Sequence, residues 1–128
     1  MREIVHVPPP PTSRAVPPLS YAARIGDLLF VSGLPGYDKE AQLAPDFPTQ
    51  FGHVIRTLDG VLAHAGADRR RIVKANVYLV REEDVAEMNR LYAEAFGPAP
   101  YPARTTVVVR ALPSPEMLIE IECVVALA

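Results

Sequence analysis

The chain has no tryptophan and a single cysteine, Cys123. One thiol excludes an intrachain disulfide framework and any metal site built from several cysteines. An excess of positive charge is missing too: 13 basic residues face 15 acidic ones, for a net charge of −2. A protein built to grip a phosphate backbone carries a clear basic excess, so nucleic acid is not the expected partner. No apolar run approaches the ~20 residues a membrane helix needs. The segment Met1 to Val7 holds no apolar signal-peptide core. The expectation is a soluble, cytoplasmic protein with no membrane partner. What the chain does have is 49 % hydrophobic against 22 % charged residues over 128 positions. That balance marks a globular chain, and the length suits one domain over 1–128.

Proline is plentiful, with six of the 14 between Pro8 and Pro18. The run Pro8 to Pro11 is forced to be extended, because each ring fixes φ and removes a donor. It reads as a stiff connector over 8–18 between a first strand and the domain body. A ligand for a proline-binding domain is the other reading. Arg2 to Val7 fits a short edge strand. Ala22 to Ile25 and Leu28 to Ser32 read as a hairpin closed by Gly26-Asp27, glycine first as a type II′ turn prefers. Gly33, Pro35 and Gly36 are expected to break the second strand. Phe51, Val54, Ile55, Leu58, Val61, Leu62 and Ala65 form one helical stripe. Asp46 is its candidate N-cap, Pro48 suits its first turn, and Gly66 fits the C′ position.

Ile72 to Val80 is a predicted strand with Val73, Ala75, Val77 and Leu79 on one face. A second helix is predicted from about Glu83 to Phe96, with Val85, Met88, Tyr92 and Phe96 as its stripe. Strands are predicted at Arg104 to Val109 and Met117 to Ala126. Two amphipathic helices over one mixed sheet give an α+β fold. The other sheet face is not polar. Either Leu28 and Phe30 or Leu29 and Val31 point there, and alternation adds Tyr78, Val80, Val108 and Val124 beside Glu120 and Glu122. Another copy of the chain is the least costly cover, so a homo-oligomer is expected.

Several constellations offer no chemistry. His53 and His64 are about 16 Å apart along a helix, too far to share a metal. His6 has no evident partner. Cys123 falls on the apolar face Ile119/Ile121/Cys123/Val125 and reads as an inert buried thiol. Arg69-Arg70-Arg71 is the one basic run, with no aromatics between for stacking bases. Gly33 to Gly36 opens no helix and lacks a P-loop lysine. Arg104 and Glu120 remain, each a charge on a strand of otherwise buried type. A guanidinium fork suits bidentate capture of a carboxylate. A half-buried carboxyl is able to orient a water or pass a proton. On residues alone, the alternative is that the two pair across adjacent strands, or that Glu122 or Arg110 is the partner.

Three segments together resemble the reactive-intermediate deaminase family, RidA or YjgF, whose members also carry the names endoribonuclease and translation inhibitor. They are Gly26 to Gly33 (GDLLFVSG), Pro102 to Thr106 (PARTT) and Ile119 to Glu122 (IEIE). The similarity runs on through Ile72 to Leu79 and Met88 to Tyr92, and covers roughly 17–127. The resemblance implies a chorismate-mutase-like fold and a homotrimer with its sheets facing inward and a cleft between each pair of subunits. It implies hydrolysis of enamines and imines, such as 2-iminobutanoate and 2-iminopropanoate, to 2-keto acids and ammonia. On the matching positions Arg104 holds the substrate carboxylate and Glu120 positions water. Ser32 and Gly33 line the same cleft, and Asn89 falls on a further cleft position. Two positions depart from the pattern: Leu19 stands where a cleft tyrosine is usual, and Thr106 where cysteine is frequent. The strand-to-strand turn is also about one residue longer. The chemistry calls for no metal or cofactor, since an imine carbon is already electrophilic. The departures leave open a non-catalytic trimeric module that binds small carboxylic acids or a protein partner. An RNA-cleaving role follows from a family name only, and the acidic balance argues against it.

Overall fold

The computed structural model describes residues 1–10 and 15–128. The middle of the expected proline connector, residues 11–14, lies outside the described residues. The elements are β1 (Ile4–Val7), β2 (Ala22–Ile25), β3 (Leu28–Pro35), α1 (Phe47–His64), a 3-10 turn at Arg69–Arg71, β4 (Ile72–Leu79), α2 (Asp84–Phe96), β5 (Ala103–Val108) and β6 (Ile119–Ala126). The strands form one sheet in the order β1-β2-β3-β6-β4-β5. Among the described residues only β4 and β5 run parallel, and α2 supplies the crossover that parallel neighbours require.

Local chemistry explains most of these elements. Gly26 takes φ +56° in the hairpin turn, which a glycine tolerates without a Cβ penalty. Asp46 caps α1 by accepting from the Thr49 backbone N–H, Pro48 sits in the first turn, and Gly66 follows the end at φ +74°. Phe51, Val54, Leu58, Val61 and Leu62 bury one side of α1. Met88, Tyr92 and Phe96 do the same for α2. Both stripes meet the alternating residues Leu29, Val31, Ala75, Val77, Ile121, Cys123 and Val125, so the two helices share one sheet face. This is the expected α+β arrangement.

Two β-bulges alter the expected pattern. The strand predicted to break at Gly33 continues to Pro35, because a register shift between Val31 and Leu34 absorbs the irregular stretch while pairing with β6 resumes. A second shift between Ile72 and Lys74 turns Ile72 inward and leaves Val73 exposed, reversing the expected placement of Val73. On the open face, Leu28 and Phe30 are the exposed pair, while Leu29 and Val31 are buried. Val108 meets Leu79 and therefore lies on the helix side, so Val107 takes the open-face position expected of Val108. No helix among the described residues is long and apolar enough to cross a membrane.

Candidate active site

The expected site residues fall into two groups, one on each face of the sheet. Register places them. Arg104 pairs with Ala75 and Thr106 with Val77, both of which point to the helices. Arg104 and Thr106 therefore share the helix side of β5, the edge strand. There the Arg104 guanidinium lies over the Tyr92 ring, 4.7 Å from its centroid. Its Nη2 donates to Asn89 Oδ1 at 2.7 Å, and its Nη1 lies 3.7 Å from the Met88 sulfur. Asn89 is one helical turn before Tyr92, so α2 presents both to the same guanidinium. Among the described residues no carboxylate lies within ion-pair distance of Arg104. The Thr106 hydroxyl is buried and has no hydrogen-bond partner among the described residues. A planar cation held by an amide and a ring, with its charge unneutralised, suits an incoming carboxylate.

The second group occupies the open face. On β6, Ile119 and Ile121 face the helices, so Glu120 and Glu122 face away from them. Glu120 lies over Gly33: a Cβ built there would stand 2.1 Å from Glu120 Oε1. The Ser32 hydroxyl donates to the Ser20 carbonyl at 2.6 Å, and the Ser32 N–H to the Tyr21 carbonyl at 2.9 Å. These bonds hold the segment carrying Leu19, itself exposed, along the Ser32 end of β3. Burial, and then the charge of Glu122, raise the Glu120 carboxyl above the usual range. Glu122 is itself anchored, accepting from Asn76 Nδ2 at 3.2 Å and from the Tyr78 hydroxyl. The same contact raises the Tyr78 phenol.

Within one chain, then, Asn89, Thr106 and Arg104 come together, and Ser32, Gly33 and Glu120 come together. The two groups do not meet. They project from opposite faces, and β4 runs between their strands. Pairing of Arg104 with Glu120 across adjacent strands is thereby excluded, and neither Glu122 nor Arg110 forms an ion pair with either.

Cys123 and the arginine run are closed to this chemistry. Cys123 is buried, and burial pushes its thiol up to about 12, which suits an inert side chain. The arginine run is engaged locally: Arg69 binds Asp59 and the Ala95 carbonyl, Arg70 binds Asp68, and Arg71 binds the Ala126 and Ala128 carbonyls. Among the described residues no group of three or more His, Cys, Asp or Glu is placed to hold a metal. Sequence reasoning took Met88 and Tyr92 as core and missed their role as the seat of Arg104. Their spacing of four on the helix stripe was visible, but not which strand residue would lie on them.

A six-stranded mixed sheet with two helices on one face, carrying an uncompensated arginine on its edge strand, defines a class of small α+β domains. Residues 11–127 match the family model described as Endoribonuclease L-PSP. A RutC family protein of Pyrococcus abyssi is 36 % identical over 113 residues, covering 87 % of each chain. Reactive Intermediate Deaminase A of Arabidopsis thaliana is 36 % identical over 115 residues, covering 88 % of this chain and 60 % of that protein. The crystal structure of RidA from Psychrobacter sp. PAMC 21119 superimposes with a TM-score of 0.83 at 31 % identity, covering 90 % of this chain and 93 % of that one. The chain belongs to the RidA/YjgF family.

Proposed function

We propose that this protein hydrolyses small 2-imino acids and their enamine tautomers to 2-keto acids and ammonia, in clefts formed between copies of the chain in a homotrimer. The observation that carries the reading is Arg104: it is fixed in place by Asn89 and Tyr92 yet has no acid of its own. A bound substrate carboxylate supplies the missing charge, and Thr106 lies two residues along the same face. The Glu120 group completes the site from a neighbouring copy. Water adds to the imine carbon, the nitrogen gains a proton, and collapse of the resulting carbinolamine expels ammonia and leaves the ketone. Glu120 takes a proton from the attacking water and returns one to the nitrogen. Burial raises its affinity for the proton, which suits an acid that must return the proton it takes. Holding both reactants in line supplies most of the acceleration that a reactive substrate needs.

An amino-acid oxidase that generates the imine, with semicarbazide to trap what remains, measures the activity. Arg104→Ala is expected to lower clearance of the imine about 100-fold or more, and Arg104→Lys to fail as well, since a point charge lacks the fork. Clearance by wild type no faster than by buffer, or by Arg104→Ala as fast as by wild type, would discard the reading. The apolar, exposed Leu19 favours a second reading, in which the same clefts bind 2-keto acids without turnover. Saturable binding of 2-oxobutanoate by calorimetry with no loss of imine would select it.

A further inference from the structure

A second cavity of about 580 Å³ lies away from both groups of site residues. Its floor is α1, at Arg56, Gly60 and His64, which recur every four residues and so share a face. One wall is the proline run Pro8 to Pro10, which follows β1, with Tyr21 beside it. The loop that begins at Tyr37 forms another part of the lining. None of Arg104, Asn89, Thr106, Glu120 and Ser32 lines it.

Both walls are stiff. Proline rings have little conformational freedom to lose. The Tyr37 loop is tied by its own backbone: Tyr37 bridges to Leu43, and Asp38 N–H donates to the Gln42 carbonyl at 2.9 Å. Asp38 Oδ1 accepts from the Glu40 and Gln42 N–H groups, each at 2.9 Å. These bonds hold Ala41, a cavity-lining residue, at φ +61°, a conformation that costs a non-glycine residue about 1 kcal/mol or more. The floor is kept bare: a Cβ at Gly60 would meet nothing within 4 Å, although glycine inside a helix is about 1 kcal/mol less favourable than alanine.

The lining also has a sign. Lys39 and Arg56 stand against one acid, Asp38, whose Oδ1 is engaged by the loop. Tyr21, Tyr37 and the proline rings supply flat apolar walls. A volume of this size is in the usual range for small-molecule sites, which pair apolar walls with a few placed polar groups. We propose that this cavity is a binding site for a flat-bodied organic acid, an aryl carboxylate or its like, distinct from the imine site and independent of that assignment. The ring lies beside the proline run above Gly60, and the acid meets Arg56 and Lys39.

Titration of 1-naphthoate into the full chain, followed by two-dimensional amide NMR, tests this. Saturating shifts are expected at Tyr37, Lys39, Gly60 and His64. The uncharged 1-naphthamide should bind about tenfold more weakly. Gly60→Leu, which places a side chain in the cavity, should weaken binding about tenfold or more, whereas Arg104→Ala should not change it. Leucine is the better helix former at an open position, so folding is expected to survive. Arg56→Glu, on the exposed side of α1, repeats the test should Gly60→Leu not fold. The site is refuted by shifts centred on Asn89 and Arg104 or on Leu28 and Phe30, or by no saturation at about 10 mM. It is equally refuted by equal affinity for the amide, or by affinity unchanged in the α1 variants.

Discussion

At Gly33 the missing side chain makes room for a neighbour. Glu120 fills the space that a Cβ would take. The conflicting atom is the tip of a flexible side chain, so Gly33→Ala is expected to change stability by under about 0.5 kcal/mol while displacing the carboxylate. Urea unfolding and imine clearance measured on the same variant separate the two effects: a near-wild-type midpoint with activity reduced about tenfold or more is expected. Glu122 acts on Glu120 through charge. Removing a neighbouring negative charge makes ionisation easier, so Glu122→Gln should lower the Glu120 pKa. The acid limb of the kcat/KM profile then moves to lower pH, and a limb that stays put would show that Glu122 does not act on Glu120. Stability carries the same sign. A carboxyl raised in the fold binds its proton more tightly there than in the unfolded chain. Its contribution is complete below the ordinary glutamate range and is lost as pH rises through the raised value.

Among the elements, α1 is joined to the rest of the fold by a polar residue. Gln50 is fully buried. Its Nε2 donates to the carbonyls of Ala44 and Glu116, at 2.7 and 2.8 Å, and its Oε1 accepts from Leu118 N–H at 2.9 Å. One side chain thus ties the helix to the loop before it and to the turn that feeds β6. Gly36 permits the close approach, since a Cβ there would stand 2.5 Å from the Gln50 carbonyl oxygen. Gln50→Ala leaves these backbone groups unpaired in the interior and should cost about 2–4 kcal/mol, read from urea denaturation. The α1 stripe and its caps were legible because each rests on spacing and on local chemistry at Asp46, Pro48 and Gly66. Gln50 was not, because its three partners are distant or irregular backbone that no periodicity marks. Val73 was misplaced for a related reason. A bulge shifts alternation by one, and nothing in Ile72-Val73-Lys74 announces it. The candidate site was legible as residue types in Arg104 and Glu120, and in Asn89 through the family resemblance. Which faces they occupy depends on how β5 meets β4, and the side chains of β5 lack the apolar alternation that would show it.

For the whole molecule, the sheet divides the chemistry between its two sides. Leu28 and Phe30 are 42 % and 46 % exposed on the face that carries Glu120, and Val107 is exposed on the same face at the far edge strand. Such a face is costly to leave in water; in the proposed trimer a second copy would cover it and bring its own Arg104 to the seam. Three chains of 14.0 kDa make a particle of about 42 kDa. The Arg104 side of β5 is a sheet edge, open to a neighbour in a way that a central strand is not.

The division of Arg104 and Glu120 between opposite faces has a genetic reading. Two defective alleles should rescue one another. Arg104→Ala and Glu120→Ala proteins, each inert alone, should regain activity when unfolded together and refolded as a mixture. With equal amounts and random assembly, about one quarter of the clefts then inherit an intact arginine from one parent and an intact glutamate from the other. A mixture as dead as its parents would mean that each chain works with its own pair.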